Sequence, residues 1–352
     1  MSSIDPIPVR PPLSAGRIAG MLSSQVVVGA VVAAAFVGLY VGLQRDPQLD
    51  HLPIAVVGVE LADAASSAWG ANAAILQATD ATEAKQLLVD HQAVAAIVPD
   101  AGSPGLSLLT AGATGPSAVG AATALVAGFA GSADLPVLSS TDVVPLASHD
   151  AQGLSGFYLV FGVTLASFIL AQIMYSIAGV VALRWRIVAL VVGAAAVAAV
   201  AAVLAGPVYG AIPADVASVI PVLTLLGVSV SVATLAIATV IGPFGNIIST
   251  LVFTTLGNAS SGATVSGFLM PPALASIGAV LPPGAAVRAV NEASYFAGHG
   301  AMGSILVLIA WIAAAGGTIA THSFRSTRLA RTASTTPSHP TTPRMVKQQL
   351  PI

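Results

Sequence analysis

From Val216 to Val287 the chain carries no acidic or basic side chain. A water-soluble domain of that length needs charges on its solvent face, so this stretch belongs to a polypeptide dissolved largely in lipid. The rest of the sequence agrees. Charged residues make up 7% of the chain and hydrophobic ones 56%, against roughly 25% charged in soluble domains. Thiol chemistry is excluded, because the chain has no cysteine.

Apolar runs long enough to cross a bilayer as helices need about 20 residues. The first lies between Arg17 and Arg45, the second between Asp150 and Arg184, and the third between Arg186 and the Gly206-Pro207 break. The fourth covers 216–241, a fifth hydrophobic region follows Gly242-Pro243-Phe244-Gly245-Asn246, and the last runs over 302–320. The first run reads as an uncleaved anchor. A cleaved signal peptide with Ala33-Ala34-Ala35 as its peptidase site is the alternative, against which apolar residues continue to Leu43.

Lysine and arginine are retained on the cytoplasmic side of short loops. With the N-terminus inside, Arg10, Arg17, Arg184, Arg186, Arg325, Arg328, Arg331, Arg344 and Lys347 are all cytoplasmic, leaving Arg45, Lys85 and Arg288 outside. Six crossings with both termini cytoplasmic satisfy this bias. If both 247–266 and 268–281 crossed, the basic tail would fall outside, so one of them must turn back. The second is short, opens at Pro271-Pro272 and ends at Pro282-Pro283-Gly284. It therefore reads as a re-entrant or interfacial helix broken by proline.

Between about residues 44 and 151 the composition becomes that of a soluble domain and includes 11 of the 14 acids. Alternating and helical periodicities predict strand 52–59, helix 62–69, strand 73–77, helix 82–91 and strand 93–98, a βαβαβ order. A further strand at 106–109, a helix at 116–129 and extended chain to Leu146 follow. The fold expected is an α-helical multispanning membrane protein of six transmembrane helices, the fifth broken or re-entrant. A small α/β exterior domain is inserted between the first and second spans. Its parts are a cytoplasmic segment 1–16, a first span 17–43, the exterior domain 44–151, a five-helix membrane block 152–322 and a disordered basic tail 323–352.

Several chemistries are missing. No G-x-x-x-x-G-K-[ST] loop occurs, so ATP hydrolysis would fall to a partner. The six histidines are scattered without the i, i+4 spacing of a helical zinc site. His149, Asp150 and Ser155 lie close in sequence, but without a nucleophile elbow they read as a polar collar before a membrane helix. No ionisable group falls in the middle of a span. Arg288 and Glu292, at i, i+4 spacing beyond the proline break, read as an interfacial ion pair beside Tyr295-Phe296, with a substrate contact as the alternative.

The order of parts, together with Leu52-Pro53-Ile54-Ala55-Val56-Val57, the run AAIVPD ending at Asp100, Leu256-Gly257-Asn258-Ala259-Ser260-Ser261-Gly262, and Leu281-Pro282 followed by Arg288 and Tyr295-Phe296, resembles the type-2 ABC exporter permeases. The likeness is to their bacterial branch with a large exterior insertion, which includes the phage infection protein. The resemblance implies a permease in the bacterial plasma membrane that forms a homo- or heterodimer and is driven by ATPase subunits in trans. The chain itself is then no enzyme, has no cofactor or metal, contacts membrane lipid and takes no nucleic acid. It places a candidate ATPase-coupling loop at Arg184, Trp185 and Arg186, in the turn Leu183-Arg184-Trp185-Arg186. A candidate broken-helix and translocation segment comprises Gly257, Asn258, Gly262, Pro271, Pro272, Pro282, Pro283, Arg288 and Glu292. The expected cargo is amphipathic or lipid-like. A non-transporting envelope scaffold, receptor or secretion accessory that displays the exterior domain is the alternative, and the shortness of the coupling loop favours it.

Overall fold

The computed structural model describes residues 14–45, 47–100, 102 and 104–334. A long helix α1 (Ala15–Arg45) leads into an α/β unit, which is followed by a block of helices. The α/β unit comprises β1 (Leu52–Val57), α2 (Val59–Trp69), β2 (Ala73–Ala78), α3 (Ala81–Val89), β3 (Ala95–Pro99), β4 (Leu106–Thr110), α4 (Pro116–Ser132) and β5 (Val137–Asp142). The helical block contains α5 (Ser155–Ser176), α6 (Leu183–Val203), α7 (Val216–Ile241), α8 (Phe244–Ser249), α9 (Gly257–Ala259), α10 (Pro272–Val280), α11 (Pro282–Tyr295) and α12 (Ala301–Ser334). A π-helical segment, Thr250–Leu256, joins α8 to α9.

Among the described residues, five helices are long and apolar enough to cross a membrane: Val26–Leu43 within α1, α5, α6 with its extension to Val208, α7, and Ala301–Phe324 within α12. The proline-flanked segment forms α10 and α11, bent by 80° where Leu281 joins them. Pro272 and Pro282 each stand at the first position of a helix, where a missing N–H costs nothing. Gly206-Pro207 does not stop the third run as expected. The helix widens into a π-helical turn over Leu204–Val208, which accommodates the proline before the chain breaks.

Helix α7 is the centre of the block. It packs on α5, α6, α11 and α12, and 61% of its apolar window is buried, against 6% for α1. Gly227 explains the close approach of α5 and α6, since a β-carbon there would lie 2.8 Å from Ala194 Cβ and 2.9 Å from Ser167 Oγ. Small residues at such crossings let backbones meet in a lipid-soluble bundle. Leu22, Val26, Val27, Val31, Val37 and Val41 of α1 stay exposed. The distal end of α1 is anchored by Leu39, Tyr40 and Leu43 against Ala259, Val265, Leu269 and Met270, and α1 also packs on the π-helical segment Thr250–Leu256.

The strands form one mixed sheet in the order β2-β1-β3-β4-β5, with β3 and β4 antiparallel and the other pairs parallel. Strand alternation divides the core. Ile54, Val56, Ala95 and Ile97 point to α2 and α4, where Trp69 and Phe129 meet edge to face at 5.5 Å. Ala55 and Ala96 point to α3 on the other face, whose core also takes in Phe296 from the helical block. The α/β unit thus completes one of its cores with a residue from outside it.

Asp150 supports the collar reading of the His149-Asp150-Ser155 stretch, since its carboxylate accepts from the N–H groups of Leu154 at 3.0 Å and Ser155 at 3.1 Å. Those contacts cap the start of α5. At the other end of the chain, helix α12 continues through Ser323 to Ser334, where a disordered tail was expected. Its good helix formers, Leu329, Ala330 and the arginines, extend the apolar helix beyond its last span residue. Residues 335–352 of that tail, and most of the N-terminal segment 1–16, lie outside the described residues.

Candidate functional site at the domain junction

The broken-helix residues singled out in the sequence come together. Gly257 and Asn258 form the short α9, Gly262 turns the chain with φ at 87°, Pro271 and Pro272 open α10, and Pro282 and Pro283 open α11. The contacts are backbone-close. A β-carbon on Gly257 would reach to 2.9 Å from Pro283 Cγ, one on Gly278 would overlap the Ser260 carbonyl, and one on Gly284 would overlap the Gly278 carbonyl. Three helix ends therefore meet closely, with the Pro283 ring between Gly257 and α11. Asn258 donates to the carbonyls of Phe253 at 2.9 Å and Thr254 at 3.3 Å, while its own Oδ1 is buried without a partner among the described residues.

Arg288 and Glu292 do not form the expected ion pair. The Arg288 Nη2 reaches back across the bend and donates to the Ala279 carbonyl at 2.6 Å, tying α11 to α10. Glu292 turns to the α/β unit, where its Oε1 accepts from Nδ1 of His91 at 2.6 Å. Both groups find partners from other elements closer than each other. Three further contacts hold the junction: Asn291 donates to the Ala113 carbonyl at 3.1 Å, Ala147 N–H donates to the Tyr295 hydroxyl at 3.3 Å, and Ser266 N–H donates to Ser117 Oγ at 3.0 Å. His299 lies 3.8 Å from Asp90.

Between the α/β unit and the α9–α11 elbow lies a cavity of about 640 Å³. Its walls include Asp50, His51, His91, Ser261, Arg288 and Glu292. That volume is within the range of small-molecule sites. The chain matches no family model, no curated protein and no solved structure. The site therefore stands on its own geometry.

The coupling-loop residues lie elsewhere. Leu183, Arg184, Trp185 and Arg186 are the first turn of α6 and not a loop, and the chain reverses just before them, over 177–182. Trp185 and Arg186 N–H groups both donate to the Ala182 carbonyl, which draws the tetrapeptide into the helix. Arg186 donates from Nη1 to the Met174 carbonyl at 3.2 Å, a cation at the C-terminal end of α5 as the helix dipole favours. Arg184 lies over the Trp185 ring at 5.8 Å. These three residues follow the C-terminal end of α5, and none of them lines the junction cavity.

Sequence reasoning missed His91 and Asn291 as junction residues. Each makes its contact to an element far along the chain, and no local spacing marks it. In the structure His91 takes a φ of 57°, unusual for a residue with a β-carbon, just after the end of α3.

Proposed function

We propose that this protein is the membrane-spanning permease subunit of an ABC-type exporter in the bacterial plasma membrane, moving an amphipathic or lipid-like cargo when a separate ATPase subunit drives it. The observation that carries this reading is the α10–α11 elbow, bent by 80° and seated between an apolar helical block and an α/β unit. Broken helices at membrane depth survive where protein or a watery cavity satisfies their backbone, and here a cavity adjoins the break. In this reading the fifth hydrophobic region, 247–266, supplies one crossing, α10 re-enters, and six crossings leave both termini cytoplasmic. Cargo of amphipathic character is supported by an apolar groove of about 930 Å³ between α5 and α6, rimmed by His149, Tyr158 and Tyr209. The exposed face of α1 suits contact with lipid or with a second subunit.

The test is purification of the tagged protein from its native host in mild detergent, with identification of co-purifying chains and an ATPase assay. A stoichiometric nucleotide-binding subunit with vanadate-sensitive, cargo-stimulated hydrolysis is expected. A second reading, an envelope scaffold that displays the α/β unit, is favoured by one observation: the reversal before α6 is only a tight turn and offers little for an ATPase to grip. Recovery with an envelope protein and no ATPase, together with full function of an Arg184→Ala, Arg186→Ala variant, would favour that reading. Single cysteines placed in this cysteine-free chain and labelled from each side report the crossings directly.

A further inference from the structure

The groove between α5 and α6 is open at one end and closed at the other. Along α5 it is lined by Ser155, Tyr158, Leu159, Gly162 and Val163, which share one helical face. Opposite them stand Val197, Val200, Ala201, Leu204 and Ala205 of α6 and its π-helical extension. The small residues here do not bring the helices together, since a β-carbon on Gly162 would meet nothing within 4 Å. Further along both helices they do touch: a β-carbon on Gly193 would lie 2.5 Å from Leu170 Cδ2. The helices therefore meet at Leu170 and Gly193 and part beyond that point. From Ser155 to Val163 the groove is about 12 Å deep, against about 15 Å for half of a bilayer's hydrocarbon core. A helix of a second copy has to cross the whole core, whereas this groove ends halfway. An occupant confined to one leaflet matches its depth.

We infer that this groove is a binding site for a lipid of one leaflet with an uncharged, hydroxyl-bearing head. The mouth decides the head. His149, Ser155, Tyr158 and Tyr209 line it, while no Asp, Glu, Lys or Arg does. The nearby Asp150 is committed to the N–H groups of Leu154 and Ser155. A charged head would leave water without finding a counter-ion, whereas a hydroxylated head finds hydroxyls and an imidazole that both donate and accept. Lipid tails elsewhere are as apolar as the groove, so the tail places the ligand and the mouth selects it. Binding stands whether or not the protein is a permease; use of the lipid as cargo rests on that reading.

The experiment holds the full chain in phosphatidylcholine nanodiscs doped with equal amounts of dioleoylglycerol, glucosyl-dioleoylglycerol and phosphatidylglycerol. Native mass spectrometry identifies the lipids retained, with no ATPase present, so failure here is distinct from failure of the permease reading. One neutral lipid per chain is expected, enriched over its share of the bilayer. Retention of dioleoylglycerol, with or without the glucosyl lipid, means that a hydroxyl suffices; retention of the glucosyl lipid alone means that the sugar is read. Ala201→Trp, which fills the groove, is expected to lower retention about tenfold or more. Tyr209→Phe, which removes one hydroxyl from the mouth, is expected to lower it about fivefold, the equivalent of one hydrogen bond. Val192→Trp, at an exposed position of α6 outside the groove, is expected to leave retention intact. Enrichment of phosphatidylglycerol, enrichment of no neutral lipid, or retention unchanged in whichever of the two groove variants stays monodisperse overturns the assignment. A dimer that holds no lipid and that Ala201→Trp dissociates would put a second copy in the groove, and overturns it too.

Discussion

His91 stacks face to face on Phe296, with ring centroids 3.9 Å apart and planes within 5° of parallel. The same imidazole is hydrogen-bonded to Glu292, one helical turn before Phe296, so a single side chain of the α/β unit grips α11 by an aromatic face and a polar edge. Phe296 is only 1% exposed and belongs to the core formed with Ala55, Leu88 and Ala96.

Phe296→Ala is expected to loosen the α/β unit from the helical block, at a cost of about 3–5 kcal/mol for a buried phenylalanine. Hydrogen exchange of the detergent-solubilised chain should show α3 and α11 losing protection together, with α6 and α7 unaffected. Unchanged protection in α3 would mean that the stack does not hold the junction.

Asp150→Ala is expected to lower stability by about 1 kcal/mol through loss of the cap on α5. Asp150→Asn, which keeps an acceptor oxygen, should recover most of that loss. Thermal unfolding of the three chains side by side decides this, and equal melting of all three would rule out the cap.

Gly278→Ala is expected to disrupt the elbow, because the added carbon would fall on the Ser260 carbonyl, which is backbone and cannot rotate away. Gly303→Ala, in open space on α12, should be tolerated. Expression level and monodispersity of the two variants give the comparison, and a well-behaved Gly278→Ala chain would contradict the close contact.

Glu83 supplies a pH dependence. The hydroxyl and then the N–H of Thr79, at 2.6 and 2.7 Å, hold its carboxyl below the ordinary carboxylate range. A group whose folded value is depressed contributes stability above its unfolded value and loses it as pH falls through the folded one. Thr79→Val should therefore shrink the loss of melting temperature between neutral and acidic pH, with a small effect because the carboxylate is fully exposed. An unaltered pH profile would rule out the contribution.

Much of the architecture was legible in local patterns. The apolar run Leu52-Pro53-Ile54-Ala55-Val56-Val57 and the order of strands and helices up to Ala95 were read within a few residues, because a strand buried on both faces is apolar throughout. Prolines at 271–272 and 282–283 marked the broken helix, since proline forbids an interior hydrogen bond. The partners of Arg288 and Glu292 were not legible. Helical spacing paired them with each other, whereas the bend set a carbonyl before one and folding placed a histidine before the other.

By itself the sequence determined that most of this chain is apolar helix, that a mixed α/β segment follows the first long helix, and that the elbow must break. Those outcomes depend on solvation and backbone geometry, which act over a few neighbouring residues. Only the tertiary structure decided that His91 and Phe296 meet, that Glu292 takes His91 as its partner, and that Arg288 reaches back to the Ala279 carbonyl. Such pairings depend on which distant surfaces exclude water together, a property of the packed molecule that no local spacing encodes.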